Sequence, residues 1–189
     1  SPGTAGRRDH PEADDTDEPE QQVMVAGATA DDLVHISFPL GIHPVAHLYA
    51  RAAEQCSIGT VWCGAGTNTA SDMQLQLIDE LRPTIWAGMA SYGLHLANLA
   101  ESRGFDLAGS SVTKIVVAAE PLSKAKRQKL ERMWGAEVFD QFGMTEGALM
   151  ACEGAARTGS HLWSDLFYCE VVDEVTGELK KDGEVGTLV

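Results

Sequence analysis

The stretch Phe139-Asp140-Gln141-Phe142-Gly143-Met144-Thr145-Glu146-Gly147 decides the fold and indicates a functional site. Residues 136–139, at its start, are mostly apolar and predict a buried strand. A glycine-containing turn follows and places the hydroxyl of Thr145 beside the carboxylate of Glu146. In chains that alternate strands and helices, ligands bind at the carboxyl ends of the strands. A hydroxyl beside a carboxylate at such a turn suits a phosphate group together with Mg²⁺.

Upstream of this stretch, strand patterns alternate with helix patterns. Predicted strands span residues 33–38, 60–63, 84–87, 112–118 and 136–139. Predicted helices span residues 42–56, 71–81, 91–103 and 123–134. Downstream, residues 166–173 and 185–189 are predicted as strands joined across residues 174–177. This order predicts an α/β fold: a mostly parallel sheet of βαβ units flanked by helices, followed by a small antiparallel β hairpin.

Local signals mark the ends of the predicted helices. Residues 71–74 have the pattern of a capping box. Ser123 is predicted to cap the fourth helix, which is basic. Gly104 and Gly135 are predicted to end the third and fourth helices.

Composition restricts the class of protein. The chain has 189 residues, of which 44% are hydrophobic, as in a globular domain with a core. No apolar run is long enough to span a membrane, and no secretory leader is visible. The net charge of −14 argues against binding to nucleic acid. The 4 cysteines are unevenly spaced and predict no disulfide framework, so we expect a reducing, cytoplasmic compartment.

Residues 9–20 are rich in Asp and Glu and contain almost no apolar side chains. Such a segment cannot bury enough surface to offset its ordering entropy, so we predict a solvated, mobile loop. A functional acidic tail is the alternative.

Three segments, in order, resemble a known family. Residues 141–146 resemble the Tyr-Gly-x-Thr-Glu signature of acyl-adenylate-forming enzymes, and residues 117–123 resemble the Gly-Ala/Gly-Glu-Pro-Leu-Ser segment of the same enzymes. Residues 159–173 are similar to phenylacetate–CoA ligases and their relatives. The resemblance runs from about residue 31 to residue 189 and implies the central part of the N-terminal domain of that superfamily.

The resemblance implies roles for the motif residues. Thr145 would contact the α-phosphate of ATP, and Glu146 would ligate Mg²⁺. Asp140 would meet the adenine amino group, and Phe142 would stack on the base. The remaining nucleotide-binding positions that it implies in this region are Ala119, Glu120, Pro121 and Gln141.

The amino terminus resembles the phosphate loop Ser-Ser-Gly-Thr-Thr-Gly-Lys-Pro. The positions that would bind pyrophosphate are Ser1, Gly3, Thr4 and Gly6. Pro2, Ala5 and Arg7 damage the match, so a flexible terminus remains the alternative. The expected organisation is a degenerate phosphate loop and acidic segment (1–22), a nucleotide- and acid-binding α/β subdomain (23–147) and a β-rich segment (148–189) that leads to a lid outside this sequence.

Family position also predicts an acid-binding pocket. Its members are Phe38, Pro39, Trp86, Met89, Ala90, Tyr92, Ala118, Phe142, Gly143 and Met144. Small residues at 118 and 143 between large aromatic side chains predict a flat slot for an aryl acid. We expect Glu146, Glu120 and Trp86 to share this cleft. The alternative for each pocket residue is ordinary core packing.

Two groups have the composition of metal ligands. His43 and His47 lie one helical turn apart, which is a spacing of metal ligands, and Pro44 between them fits the first turn of the helix. The alternative is a pair of partly exposed histidines that binds no metal. Cys152, His161 and Cys169 combine thiolates with imidazole, which suits zinc. Cys152 and Cys169 can equally be small buried apolar residues.

The predicted reaction is that of an AMP-forming acid–thiol ligase. A phenylacetate-like carboxylic acid would react with ATP and Mg²⁺ to give an acyl-adenylate, which then forms a thioester with CoA. Two alternatives stay open. The acceptor can be the phosphopantetheine of a carrier protein, or the chain can be a truncated, non-catalytic module that binds nucleotide or acid. A homodimer also stays open.

Overall fold

A computed structural model describes residues 27–189 of the chain. The predicted phosphate loop at Ser1, Gly3, Thr4 and Gly6 and the acidic segment lie outside this range. The helices are α1 (Val45–Gln55), α2 (Ser71–Leu81), α3 (Ala90–Arg103) and α4 (Lys124–Trp134). The strands are β1 (Leu33–Ile36), β2 (Gly59–Trp62), β3 (Ile85–Gly88), β4 (Lys114–Val117), β5 (Glu137–Met144), β6 (Ala148–Glu153), β7 (Ser160–Leu162), β8 (Val171–Val172) and β9 (Thr187–Leu188).

Seven strands form one sheet in the order β2-β1-β3-β4-β5-β6-β7. Neighbours from β2 to β5 are parallel, whereas β5, β6 and β7 are antiparallel. Strands β8 and β9 form a separate antiparallel pair. The α/β fold class with a mostly parallel sheet and a small antiparallel sheet is confirmed. The expected boundary after residue 147 falls in the turn between β5 and β6, and β6 and β7 continue the same sheet.

The sheet has a core on each face. The first core cluster lies between the sheet and α1, and it includes Phe38, Tyr49, Ala87, Val116 and Phe139. The second core cluster lies between the sheet and α2, α3 and α4, and it includes Trp86, Leu96, Val117, Leu130 and Val138. Successive residues of β3, β4 and β5 therefore belong to opposite clusters, as the alternation of side chains along a strand requires.

Three helix ends form as predicted. The hydroxyl of Ser123 accepts the backbone N–H of Lys126 at 3.2 Å and caps α4. Gly104 and Gly135 follow α3 and α4 with φ of 69° and 64°, in the left-handed region that glycine tolerates best.

The predicted capping box at residues 71–74 is wrong. The N-cap position of α2 is Ala70, and no side chain from residues 27–189 caps the helix there. Ser71 is already helical, and its hydroxyl lies 3.1 Å from that of Tyr92. Gln74 cannot reach back to cap the helix because its amide is buried and forms hydrogen bonds with His35 and Ser37.

The polar network around Gln74 connects β1 to the segment after β2. Gln74 Nε2 donates to the carbonyl oxygens of Gly64 and Thr69, at 2.9 and 3.1 Å. Gln74 Oε1 must therefore accept, and it lies 2.7 Å from Ser37 Oγ and 3.2 Å from His35 Nε2. His35 Nε2 then carries the proton, which leaves Nδ1 as an acceptor 3.8 Å from the thiol of Cys63.

Two further observations concern the cysteines and the length of the helices. No disulfide joins any of the four cysteines, which all lie within residues 27–189. Within residues 27–189, no helix combines the length and the apolar character needed to cross a membrane.

Candidate functional site

The motif stretch forms a β hairpin. Strand β5 extends to Met144, because its second half pairs antiparallel with β6. The predicted strand end at residue 139 is therefore wrong, and the turn comprises residues 145–147. Gly147 N donates to Met144 O at 3.2 Å and closes it. The register shifts between Phe142 and Gly143, and such a bulge redirects the end of a hairpin.

The two faces of β5 carry different parts of the motif. Phe139 packs in the first core cluster, and the amide oxygen of Gln141 accepts a hydrogen bond from the buried hydroxyl of Tyr49 on α1. Val138 packs in the second core cluster, and Asp140 lies on the same side, near Arg127 of α4. By alternation, Gly143 faces α1 and Phe142 faces the α4 side.

A cavity of about 300 Å³ lies on the α1 side, at the carboxyl ends of β4 and β5. Its walls come from the start of α1, the end of β4 and the β5–β6 hairpin. The lining residues are His43, Pro44, Val45, Leu48, Ala118, Ala119, Gly143, Met144, Thr145, Ala148 and Leu149. The lining is largely apolar, with the imidazole of His43 and the hydroxyl of Thr145 as its polar side chains.

The segment after β4 combines a strained residue with a helix cap. Ala119 has φ of 70°, a left-handed conformation that costs a non-glycine residue free energy and is enriched at functional sites. The carboxylate of Glu120 accepts the backbone N–H of Ser91 in the first turn of α3, and it lies 3.6 Å from Lys126 Nζ. Because the Glu120 side chain is engaged in this way, its segment has mainly backbone atoms to offer a ligand.

Thr145 and Glu146 are both exposed at the hairpin turn. Thr145 lines the cavity, whereas Glu146 lies next to it and is not part of the cavity wall. Among residues 27–189, no hydrogen bond or ion pair engages the Glu146 carboxylate. A free carboxylate suits Mg²⁺, which needs only one or two protein ligands beside water and phosphate oxygens.

The structure brings together only part of the predicted acid pocket. Ala118, Gly143 and Met144 line the cavity, and Phe38 and Met89 belong to the first core cluster on the same side of the sheet. Phe38 is fully buried and stacks on Tyr49, with ring centroids 5.0 Å apart. Pro39 is partly buried outside the cavity wall.

The prediction that Trp86 and Tyr92 line the acid pocket is wrong. Trp86 is 0% exposed and packs against Trp134, with ring centroids 5.1 Å apart, in the second core cluster. Ala90 and Tyr92 also pack on that face of the sheet. The reason is the alternation along β3, which sends Ile85 and Ala87 toward α1 and Trp86 away from it. Trp86 therefore shares no cleft with Glu146.

The start of α1 and the two residues before it supply wall residues that the predicted pocket omits: His43, Pro44, Val45 and Leu48. The sequence singles out His43 only for its spacing from His47. The structure separates the two, because His47 packs edge-on against Trp62 with ring centroids 5.7 Å apart. Pro44 marks the start of a helix, but nothing local shows that this turn faces the hairpin.

The predicted zinc ligands gain no support. Cys152 and His161 are cross-strand partners on β6 and β7. In the part of the chain that the structure describes, no group of three or more His, Cys, Asp or Glu side chains is arranged to hold a metal ion. Cys152 is instead partly buried against the first core cluster.

The electrostatic surroundings of Asp140 differ from those of a free carboxylate. Burial raises the pKa of Asp140, the neighbouring carboxylate of Glu153 raises it further, and Arg127 lowers it. Burial also raises the pKa of Tyr49, so its hydroxyl stays protonated and donates to Gln141.

Comparisons with known proteins agree with this fold. The phenylacetate-coenzyme A ligase of Pseudomonas putida is 30% identical over 173 residues, which cover 89% of this chain and 38% of that protein. The Escherichia coli K12 enzyme of the same name is 29% identical over 174 residues, 89% of this chain and 39% of that protein. This chain therefore spans less than half of the length of these relatives.

Solved structures show the same fold. An open conformation of 2-hydroxyisobutyryl-CoA ligase in complex with 2-HIB-AMP and CoA has a TM-score of 0.82 at 23% identity, over 87% of this chain and 37% of that one. A benzoate CoA ligase from Burkholderia xenovorans LB400 has a TM-score of 0.68 at 22% identity, over 86% of this chain and 33% of that one. The family described as AMP-binding enzyme matches residues 21–189. The chain therefore belongs to the AMP-binding enzymes, and its sequence is similar to that of phenylacetate–CoA ligases.

Proposed function

We propose that the protein carrying this chain activates a carboxylic acid with ATP as an acyl-adenylate and then transfers the acyl group to CoA. The observation that carries the proposal is the position of Thr145, which lines the cavity on one face of β5 and follows the exposed Phe142 of the other face by three residues. The family match and the phenylacetate–CoA ligases among its relatives support this reaction class.

The cavity on the α1 side would hold the acid. Its apolar walls and volume of about 300 Å³ suit a compact apolar body such as an aryl group. The first turn of α1 borders the cavity, and the amino end of a helix carries partial positive charge, which favours a carboxylate. Because the carboxylate must also reach the α-phosphate that Thr145 would contact, we place it on the side of the cavity that Thr145 lines.

The nucleotide would bind on the other face of the hairpin. Phe142 is 43% exposed, so its ring is free to stack on adenine, and Asp140 lies on the same face. Backbone groups of residues 119–121 would border the base and ribose, and the Thr145 hydroxyl would contact the α-phosphate. Glu146 would hold Mg²⁺, which supplies charge neutralisation for the phosphate oxygens when bound.

The two bound substrates would then react in line. A carboxylate oxygen of the acid attacks the α-phosphorus, a P–O bond forms, and the bond to pyrophosphate breaks. Two anions approach each other in this step, so orientation by the cavity and by Thr145 matters most. In the second step the thiol sulfur of CoA attacks the acyl carbon, and AMP leaves.

The compartment is part of the same proposal. The four unevenly spaced cysteines, which predict no disulfide framework, are consistent with a reducing, cytoplasmic location.

Exchange of labelled pyrophosphate into ATP tests the proposal. The protein carrying this chain is assayed with a series of aryl and alkyl carboxylic acids. We expect exchange with a compact aryl acid such as phenylacetate and a loss of at least about a hundredfold in Glu146→Gln. Glu54→Gln, an exposed position at the far end of α1, is the matched control and should keep the rate of the unchanged protein.

Two results would contradict the proposal. Exchange that is equal in Glu146→Gln and Glu54→Gln would remove Glu146 from the site. Binding of nucleotide without exchange for any acid would favour a non-catalytic binding module. Replacement of CoA by a phosphopantetheine-bearing carrier protein in the second step shows which thiol accepts the acyl group.

A further inference from the structure

Arg127, Glu153 and Asp140 form a charged cluster where α4 crosses β5 and β6. Arg127 Nη2 donates to both carboxylate oxygens of Glu153, at 2.8 and 2.7 Å. Arg127 Nη1 donates to the carbonyl oxygen of Val138 at 2.5 Å. Glu153 Oε2 also accepts the backbone N–H of Asp140 at 2.8 Å. The ion pair is therefore attached to β5 on both sides of Phe139.

The attachment lies where β5 changes its pairing partner. Residues 137–140 pair with β4, and residues 141–144 pair with β6. Glu153 is the last residue of β6, and its side chain takes the N–H of Asp140 just before the ladder with β6 begins. The pair therefore fixes β5 at the start of the hairpin that presents Phe142 and Thr145.

The burial of this pair indicates that it determines geometry. The side chains of Arg127 and Glu153 are 20% and 9% exposed. An ion pair this deeply buried adds little net stability, because desolvation offsets the attraction, but it adopts one arrangement. A second Arg–Glu pair joins Arg157 to Glu131 of the same helix, at 2.8 Å, and is more exposed, at 33% and 30%.

Asp140 lies on the face of β5 where the base would bind. At the relevant edge adenine presents an amino donor, whereas guanine presents a carbonyl acceptor. An ionised carboxylate only accepts hydrogen bonds, so Asp140 would attract adenine and repel guanine. Burial and the carboxylate of Glu153 raise the pKa of Asp140, and Arg127 opposes them, so the position of Arg127 beside Asp140 helps to keep the ionised form.

We propose that Arg127 and Glu153 are positioning residues that hold Asp140 against the edge of the base and thereby set a preference for adenine over guanine nucleotides. The proposal rests on the function proposed above. It predicts that removal of either partner of the ion pair lowers the preference for ATP over GTP, even in variants that keep the fold.

Dissociation constants of Mg²⁺-ATP and Mg²⁺-GTP for the protein carrying this chain, measured by calorimetry, test the proposal. We expect Glu153→Gln and Arg127→Met to weaken ATP binding about tenfold or more and to change GTP binding little, so that the ATP-to-GTP ratio falls. Arg127→Lys keeps the positive charge but loses the bidentate hydrogen bonds to Glu153, so it should give an intermediate ATP-to-GTP affinity ratio. It is also the variant to measure if Arg127→Met does not fold.

Glu131→Gln and Arg157→Met in the exposed pair are the matched controls and should leave the ratio unchanged. If the Arg127 and Glu153 variants melt at a lower temperature but keep the ratio, the pair is only structural and the inference is wrong. If the unchanged protein binds neither nucleotide, the proposed function fails as well. These two outcomes separate the inference from the function on which it rests.

Discussion

At the scale of single residues, Gly143 is required by the close approach of two backbones. A Cβ at this position would overlap the carbonyl oxygen of Ala148, which belongs to the paired strand and cannot move aside. At Gly147 a Cβ would meet Met150 Sδ at 3.0 Å, the end of a flexible side chain. The glycine of the motif is therefore explained by the hairpin itself.

We predict that Gly143→Ala destabilises the protein by about 1–3 kcal/mol, because the hairpin must open to admit the methyl group. Gly147→Ala should cost less than about 1 kcal/mol, since Met150 can adjust. Urea unfolding of both variants measures the difference. Equal losses of stability would show that the approach of Gly143 to Ala148 is not tight.

His35 makes stability depend on pH. Burial lowers the pKa of His35 from 6.5 to about 4, although Gln74 partly opposes the shift. The unfolded chain binds a proton at His35 near pH 6.5, whereas the folded protein binds it only near pH 4. The contribution of the neutral imidazole is complete above pH 6.5 and is lost as the pH falls toward 4.

We therefore predict a loss of about 3 kcal/mol from His35 across that range. Urea unfolding as a function of pH should show a shallower slope for His35→Asn, which has no titrating ring. A variant with the same slope as the unchanged protein would contradict this account of His35.

At the scale of elements, Glu120 links two helices of the βαβ units. It follows β4 and precedes α4, yet its carboxylate caps the first turn of α3 at Ser91. A negative charge there satisfies an unpaired N–H and complements the helix dipole. Glu120 in the Glu-Pro segment thus has a structural role in this chain, whatever its backbone does for a ligand.

Glu120→Ala should lower stability by about 1–2 kcal/mol, since the N–H of Ser91 loses its partner. Glu120→Gln should lower it less, because the amide oxygen still accepts the hydrogen bond. Thermal unfolding of the two variants checks this order. If both variants are as stable as the unchanged protein, the cap at Ser91 is not maintained in solution.

The sequence predicts the helices and strands better than it predicts which elements pair or pack against each other. Apolar spacing, Ser123, Gly104 and Gly135 are local signals, and the helices and parallel strands that they mark are present. Strand β5 was predicted to end at residue 139 because its extension depends on β6, which a local pattern does not reveal. Alternation puts Trp86 on the opposite face from its neighbours Ile85 and Ala87, but which of the two faces meets α1 depends on packing that a local pattern does not reveal.

The pocket walls were harder to predict than the motif residues. Ala118 follows β4, and residues 143–145 lie at the end of β5 or just after it. The carboxyl ends of these strands meet at one edge, so the proximity of these residues follows from the fold class. The first turn of α1 reaches the same edge only through the packing of a helix on the sheet. Likewise, Arg127 and Glu153 are distant in sequence, and no local pattern pairs them.

At the scale of the whole molecule, the two faces of the sheet are unequal. Helix α1 covers one face and α2, α3 and α4 cover the other, so the cavity opens where α1 begins. Strand β5 reaches beyond β4 and carries the hairpin past the parallel part of the sheet. The central claim is that this hairpin separates the acid on the α1 face from the nucleotide on the α4 face, with Thr145 between them.

A crystal structure of the protein carrying this chain, with a non-hydrolysable phenylacetyl-adenylate analogue, tests this claim most directly. We predict the acyl group in the cavity beside His43 and Gly143, the adenine against Phe142 and Asp140, and the phosphate mimic at Thr145. An analogue bound with acyl group and adenine on the same face of β5, or bound away from Thr145, would contradict the claim.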